Sequence, residues 1–253
     1  MGRMTTRPEP RTLEVRSAER LSPSMHRLAL GGPGLTGFPE GNDGGYIKLM
    51  LPGAGERPVV RTFTIRRQTP DGLVVDFALH GGEAAGPATR FALEAKVGDT
   101  VKVGGPGPAK PLPEGRDFYL VAGDMTALPA IAVNLEALDR KARGHVVIEV
   151  QSEADRQHID APVGLAIEWL VNPESGLAPG LLCDALRRVE RPAGRIAAWV
   201  ACEFSSMRVL REYLRGELGL SGDDLYISSY WKHGLEETAH KLIKREDAEA
   251  QAA

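Results

Sequence analysis

A change of texture near residue 113 constrains the fold of this 253-residue chain more than any other feature. Before it, short runs rich in Val, Ile, Leu, Phe and Thr are separated by turn residues: RTLEVRSAERL, MHRLALGG, GGYIKLMLP, VVRTFTIRR, GLVVDFALH and DTVKVGGPG. Such runs read as strands, and one interruption, GPATRFALEA, has a helical pattern. Several short strands with one helix predict a small antiparallel Greek-key β-barrel over residues 11–112. A Pro/Gly-rich hinge, GPAKPLPEGR, follows. Beyond it, the apolar strands DFYLVAGD, GHVVIEVQ, GLAIEWLV, RIAAWVACE and DLYISSYW alternate with the helical patterns TALPAIAVNLEALDR, LLCDALRRV and SSMRVLREYLRGEL. Apolar strands alternating with helices need both sheet faces covered, so residues 116–253 are predicted to form a doubly wound parallel-sheet α/β domain. A last helix, LEETAHKLIKRED, and a polar tail expected to fray, AEAQAA, close the chain.

The composition excludes several classes of function. A hydrophobic fraction of 42% and a charged fraction of 26% belong to a soluble globular protein. With 31 Lys and Arg against 34 Asp and Glu, the net charge of -3 offers no global attraction to nucleic acid or to an anionic membrane, so any positive site must be local. Cys183 and Cys202 are far apart in sequence and lack a CxxC or a nearby histidine pair, and no histidines have ligand spacing, so neither a disulfide framework nor a metal site is expected. The start, MGRMTTRPEPR, has no apolar core, and no apolar run approaches a membrane-spanning length. These readings predict a cytoplasmic monomer with no stable membrane association.

The local chemistry lies in strands and loops. In VVRTFTIRR, alternation puts Arg61, Phe63 and Ile65 on one face and Thr62, Thr64 and Arg66 on the other. An arginine beside a ring suits a ligand that is part phosphate and part planar. In GPATRF, the first free N–H groups of a helix would form an anion site, with Gly86, Ala88 and Thr89 as candidates. Open parallel sheets bind ligands at the carboxyl ends of their strands, here the loops AGDMTALPA, QSEADRQ and ACEFSSM, although none carries GxGxxG. Asp124 reads as the N-cap of the helix that follows, with Thr126 and Pro129 in its first turn, and Ser205 reads as the N-cap of SMRVLREYL.

Four segments, taken together, carry a resemblance. RTFTIR at 61–66 resembles the flavin signature R-x-Y-[ST]-[ILV]-R, and VDFALHGGEAAGPATRF at 75–91 resembles a following H-G...GPA segment. AGDMTALPAI at 122–131 resembles A-G-D-E-T-A-L-P-A-I, and SYWKHG at 229–234 resembles G-Y-W-R-x-G. In this order the chain resembles the siderophore-interacting protein family, FAD-dependent ferric-siderophore reductases with a ferredoxin-reductase-like fold, from about residue 12 to residue 247. The resemblance implies Arg61 on the FAD pyrophosphate, Phe63 against the flavin or ribityl, Thr64 at the N5 edge, and the strand end Phe77, Ala78, Leu79 and His80 beside the pyrimidine edge or the ribityl. It further implies that Asp124, Thr126 and Ala127 contact flavin and nicotinamide, and that Glu203, Ser205, Tyr230 and Trp231 line the nicotinamide site. Lys48, Lys232 and Arg245 or Lys244 are the candidate siderophore cations. Three departures stand out: Phe63 replaces the family's tyrosine, Tyr46 a histidine before Lys48, and Arg90 with Phe91 stand where a tryptophan is common.

The implied reaction passes a hydride from NADPH or NADH to FAD and single electrons from flavin to Fe(III) in a ferric siderophore, with no side chain acting as acid, base or nucleophile. Glu153, Asp155 and Arg156 in the loop after the second parallel strand leave the nucleotide open, with a slight lean to NADPH through Arg156. Two alternatives remain: a flavin reductase of the same architecture serving a protein partner, and a siderophore-binding protein without reductase activity.

Overall fold

The computed structural model describes residues 9–53, 57–80, 85–235 and 237–252, so Gly81 and Gly82 of the expected turn lie outside the described residues. The chain divides into two compact units, Met1–Lys110 and Pro111–Ala253.

The first unit contains β1 (Arg11–Ser22), β2 (Met25–Gly31), β3 (Tyr46–Leu51), β4 (Val59–Thr64), β5 (Arg67–Thr69), β6 (Gly72–Ala78), α1 (Pro87–Glu94) and β7 (Thr100–Gly107). The strands pair antiparallel in the order β4-β3-β7-β1-β2-β6-β5. β4 and β5 lie at opposite margins, yet only Ile65 and Arg66 separate them. The sheet must therefore curl until its margins meet. The Ile65 N–H donates to Gly45 O (2.7 Å) just before β3, and the Arg66 N–H donates to Val74 O (2.9 Å) on β6. VVRTFTIRR is thus one bent strand that leaves β3 and joins β6, closing a barrel.

Alternation along each strand fills that barrel. Ile47, Leu49 and Leu51 are fully buried, while Tyr46, Lys48 and Met50 between them are half-buried on the opposite face. Each buried Ile or Leu contributes about 1.5–3 kcal/mol of transfer free energy. Ile65 is buried and Phe63 packs on the same core, so these side chains face the barrel while Thr62 faces out.

The second unit contains β8 (Phe118–Asp124), α2 (Leu128–Ala137), β9 (Arg143–Val150), β10 (Gly164–Val171), α3 (Leu181–Arg187), β11 (Ile196–Glu203), α4 (Phe204–Arg211), β12 (Leu225–Trp231) and α5 (Glu237–Ala252). Its strands are all parallel in the order β10-β9-β8-β11-β12, so the winding reverses between β8 and β11. The carboxyl ends of those two strands, Asp124 and Glu203, mark the switch point.

Two helices differ from expectation. The helix beginning at Phe204 is α-helical to Arg211 and widens into a π-helical turn over Glu212–Glu217. α5 runs on to Ala252 through the tail expected to fray. One polar face docks it: the His240 Nε2–Ser229 Oγ bond (2.9 Å), Lys244 Nζ donating to Ser228 Oγ (2.7 Å) and Ser229 O (2.8 Å), and Asp247 bridged by Arg211 (2.5 and 2.8 Å). The spacing 240, 244, 247 brings these groups to one side of the helix. No helix among the described residues is long and apolar enough to cross a membrane.

Candidate functional site

In the second unit, three adjacent strands carry an acid at or beside their carboxyl ends. Asp124 of β8 and Glu149 of β9 are register partners, and Glu203 ends β11. All three carboxylates are buried. Asp124 Oδ1 accepts from the Thr126 N–H (2.9 Å) and hydroxyl (2.5 Å), while Oδ2 accepts from the Glu203 N–H (2.8 Å) and Trp231 Nε1–H (2.8 Å). One carboxylate thus ties together the ends of β8, β11 and β12. Burial pushes its pKa up, and the four hydrogen bonds pull in the other direction.

Asp124 is not a helix cap, as the sequence suggested. α2 begins at Leu128 with Ala127 as its N-cap, and Asp124 instead forms a turn with Thr126. Ser205 is not a cap either. The N-cap of α4 is Glu203, whose Oε2 accepts from Ser205 N (2.5 Å) and Ser206 N (3.2 Å), because a glutamate ending the strand reaches the first turn before the serine does. Glu203 Oε1 accepts from the His233 N–H (3.2 Å) and pairs with Lys232 Nζ (3.2 Å), which also donates to Ser205 Oγ (2.7 Å). Lys232 therefore serves as the counter-ion of Glu203.

Glu149 was not singled out by sequence. Its Oε1 accepts from Asn172 Nδ2 (2.9 Å), and its pKa is pushed up to about 7, first by burial and next by the charge of Asp124. A readable signal existed: VAGD, VIEV and VACE each carry an acid at or beside the end of an apolar strand. Gly176, after β10, was also missed; with φ +84, it lies so close to Trp231 that a Cβ there would come within 2.8 Å of Cη2. Burial and Tyr226 raise the pKa of the Tyr230 phenol well above its ordinary value. Trp231, Gly176 and the Asn172–Glu149 pair thus roof the carboxyl ends of the sheet.

The loop after β9 does not choose between nucleotides. Arg156 is paired with Glu153 (2.6 Å), and Asp155 is buried with its carboxylate on Ser152 Oγ (2.8 Å). The lean to NADPH through Arg156 therefore has no geometric support. Arg245 is exposed and paired with Glu249 (2.8 Å), whereas its neighbour Lys244 faces β12. Burial lowers the Lys244 pKa. Among the described residues, no group of three acids, histidines or cysteines could hold a metal ion.

In the first unit, the expected ligand residues divide between two faces of β4. Phe63 packs against Phe77 (ring centroids 4.3 Å apart), and Phe77 is only 1% exposed, so its ring belongs to the barrel core. The strand end continues through half-buried Ala78, buried Leu79, whose N–H donates to Ser24 O (2.9 Å), and exposed His80. Arg61 is half-buried, with Nη1 on Val60 O (3.2 Å). Thr64 faces away from the core, in register with Tyr46, and Thr62 is in register with Lys48. Lys48 is half-buried and has no ion-pair partner among the described residues.

FAD fits this unit on the chemistry of its donors. α1 opens with Gly86 as N-cap and Pro87 in its first turn, no side chain caps it, and that turn contains no acid. A Cβ on Gly86 would meet nothing within 4 Å, so there is room before the N–H groups of Ala88 and Thr89. Thr89 is buried in the first turn, so its side chain packs inward. Arg90 is exposed but not merely solvated: Nη1 donates to Ala85 O (2.5 Å), bracing the entry to the helix.

Fold and site together define a class: an antiparallel barrel with donors for a phosphate-bearing planar ligand, followed in the chain by a doubly wound α/β unit. The chain belongs to the siderophore-interacting protein family. Residues 116–234 match the profile described as siderophore-interacting protein, and residues 14–58 and 52–110 match the siderophore-interacting FAD-binding domain. The chain is 32% identical over 262 positions to ferric vibriobactin reductase ViuB of Vibrio cholerae, covering 95% of this chain and 96% of ViuB. It is 27% identical to the NADPH-dependent ferric-chelate reductase of Escherichia coli, covering 82% and 87% of the two chains. The crystal structure of the siderophore-interacting protein SipS from Aeromonas hydrophila superimposes with a TM-score of 0.83 at 34% identity, covering 95% of this chain and 98% of SipS.

Proposed function

We propose that this chain is a FAD-dependent reductase that passes electrons from a reduced nicotinamide nucleotide, through flavin, to Fe(III) in a ferric siderophore and releases Fe(II). The activities for which ViuB and the Escherichia coli relative are named support the reaction, and the latter supports NADPH ahead of NADH as donor. The observation that carries the reading is Lys48, a cation without an ionic partner among the described residues on the outward face that also bears Thr62 and Thr64. A ferric chelate of anionic oxygen ligands needs such a charge, because the chain as a whole is acidic.

When bound, FAD supplies the conversion between a two-electron hydride and the single electrons that Fe(III) accepts. The residues bind and orient. Arg61 and the first N–H groups of α1 hold the pyrophosphate, Phe63 and the main chain from Phe77 to His80 border the ring system, and Thr64 presents a hydroxyl to its edge. In the second unit, Asp124, Thr126, Ala127, Glu203, Ser205, Tyr230 and Trp231 form the nicotinamide side. Residues 11–112 then serve as the FAD domain and residues 116–253 as the nicotinamide domain, in a monomer of the cytoplasm, where the buried free thiols Cys183 and Cys202 stay reduced.

The test is the visible spectrum of the purified protein under anaerobic conditions. Flavin bands should bleach with NADPH and recover on addition of a ferric tris-catecholate as a ferrous-iron trap develops colour. A colourless protein that FAD does not reconstitute overturns the proposal.

A further inference from the structure

We infer that Tyr46 makes the chelate site selective for anionic, aryl-bearing ferric chelates over neutral, aliphatic ones; the inference rests on the reductase reading above. Register places the relevant groups together. Tyr46 pairs with Thr64 on β4 and Gly107 on β7, and Lys48 pairs with Thr62 and Gly104. Residues paired in this way share a sheet face, here the face opposite the core residues Ile47 and Leu49.

On that face β7 is bare beside Lys48 and Tyr46. A Cβ on Gly107 would lie 2.0 Å from Tyr46 Cζ and 2.3 and 2.4 Å from the two Cε atoms, so the phenol ring lies directly over the Gly107 main chain. Any side chain at 107 would push it away. Gly104 likewise leaves the strand open beside the Lys48 Cβ, 3.9 Å from where a Cβ of its own would stand. Lys102, exposed and without an ion-pair partner among the described residues, pairs with Met50 on the same face. The result is a face where the Tyr46 ring lies over the Gly107 main chain, Gly104 leaves β7 bare beside Lys48, and two ammonium groups stand nearby on the same side.

This combination distinguishes two chemical classes of ferric chelate. A tris-catecholate carries net negative charge and presents aromatic rings at its surface, so it gains both Coulomb and ring contacts, including cation–π attraction from the lysine. A tris-hydroxamate is neutral and aliphatic and gains neither. Tyr46, a neutral phenol where the resembling family has histidine, contributes through its ring rather than through charge.

The experiment uses redox-inert gallium complexes, so that binding is read apart from electron transfer. Calorimetric titration of the full chain with gallium bound to a hexadentate tris-catecholamide and to a hexadentate tris-hydroxamate gives the preference of the wild type, Tyr46→Phe and Tyr46→Leu. The wild type and Tyr46→Phe should favour the catecholamide, and Tyr46→Leu should reduce that preference about tenfold. The ratio of kcat/KM for the two ferric complexes should change in parallel. Equal binding of both complexes by the wild type, an unchanged ratio in Tyr46→Leu, or loss of the preference in Tyr46→Phe overturns the inference while leaving the reductase standing. A wild type that binds neither gallium complex and reduces neither ferric one overturns the reductase reading itself, and the selectivity with it.

Discussion

Two helices, α1 in the barrel and α4 in the α/β unit, present opposite solutions at their N-termini. In the barrel, α1 opens without a side-chain cap or a first-turn acid, and the Cβ position of Gly86 faces open space. In the α/β unit, the first N–H groups of α4 are taken by Glu203, itself neutralised by Lys232. The cations follow the same division: Lys48 has no ionic partner among the described residues, whereas Lys232, Arg156 and Arg245 are each paired with a glutamate. A helix start or a basic side chain is available to a ligand only when the protein has not already used it. By that criterion the start of α1 is open to an anion, whereas the start of α4, already occupied by the Glu203 carboxylate, disfavours bare phosphate.

Four substitutions test this contrast. The largest effect should come from Asp124→Ala, which leaves the N–H of Glu203 and the indole of Trp231 without their acceptor. We expect a loss of about 2–4 kcal/mol, read from the unfolding transition of the second unit by tryptophan fluorescence. Preserved stability would show that Asp124 is not the tie between the three strands. Arg61→Ala addresses the other unit and should weaken FAD binding by roughly 10- to 100-fold, with only partial rescue by lysine, which lacks the guanidinium fork. An unchanged FAD dissociation constant would remove Arg61 from the phosphate site.

Glu149→Gln comes next and has a defined sign. Because the folded pKa of about 7 lies above the ordinary 4.5, the neutral form is favoured in the folded state, and the associated stability is full below 4.5 and lost as pH rises to about 7. The glutamine variant should match wild type near pH 4.5 and exceed it above pH 7 by roughly 1–3 kcal/mol. Parallel pH profiles from denaturant titration would show that Glu149 does not titrate in this window. The smallest change is expected from Phe63→Tyr, which restores a phenolic hydroxyl beside the flavin strand and should tighten FAD by a factor of about 2–10 if that group finds a partner. Looser binding would mean that the packing of Phe63 against Phe77 has no room for it.

Much of the fold was legible because apolar periodicity and turn residues determine it directly. The strands and the parallel second sheet follow from patterns only a few residues long. The site was legible only as residue types. VVRTFTIRR does not disclose that its strand bends at Ile65, because closure depends on Gly45 and Val74, which are distant in sequence. GDMT suggests a helix cap, but Asp124 is drawn instead to donors from Glu203 and Trp231, 79 and 107 residues away. Arg156 gave a slight lean to NADPH, but it is paired with Glu153 through a 3-10 turn over Glu153–Asp155 that composition alone does not reveal.

The bent strand from Val59 to Thr69 is also the seam of the barrel, and it carries Arg61, Phe63 and Thr64. A molecule gripped by those residues adds contacts to the strand that closes the barrel, so losing that strand from the sheet would also disrupt the site that holds it. Occupancy and folding are then linked through the same few residues, and saturation at about 1,000 times the dissociation constant would stabilise the folded state by roughly 4 kcal/mol. The empty barrel is correspondingly the form in which a protease would find its first cut.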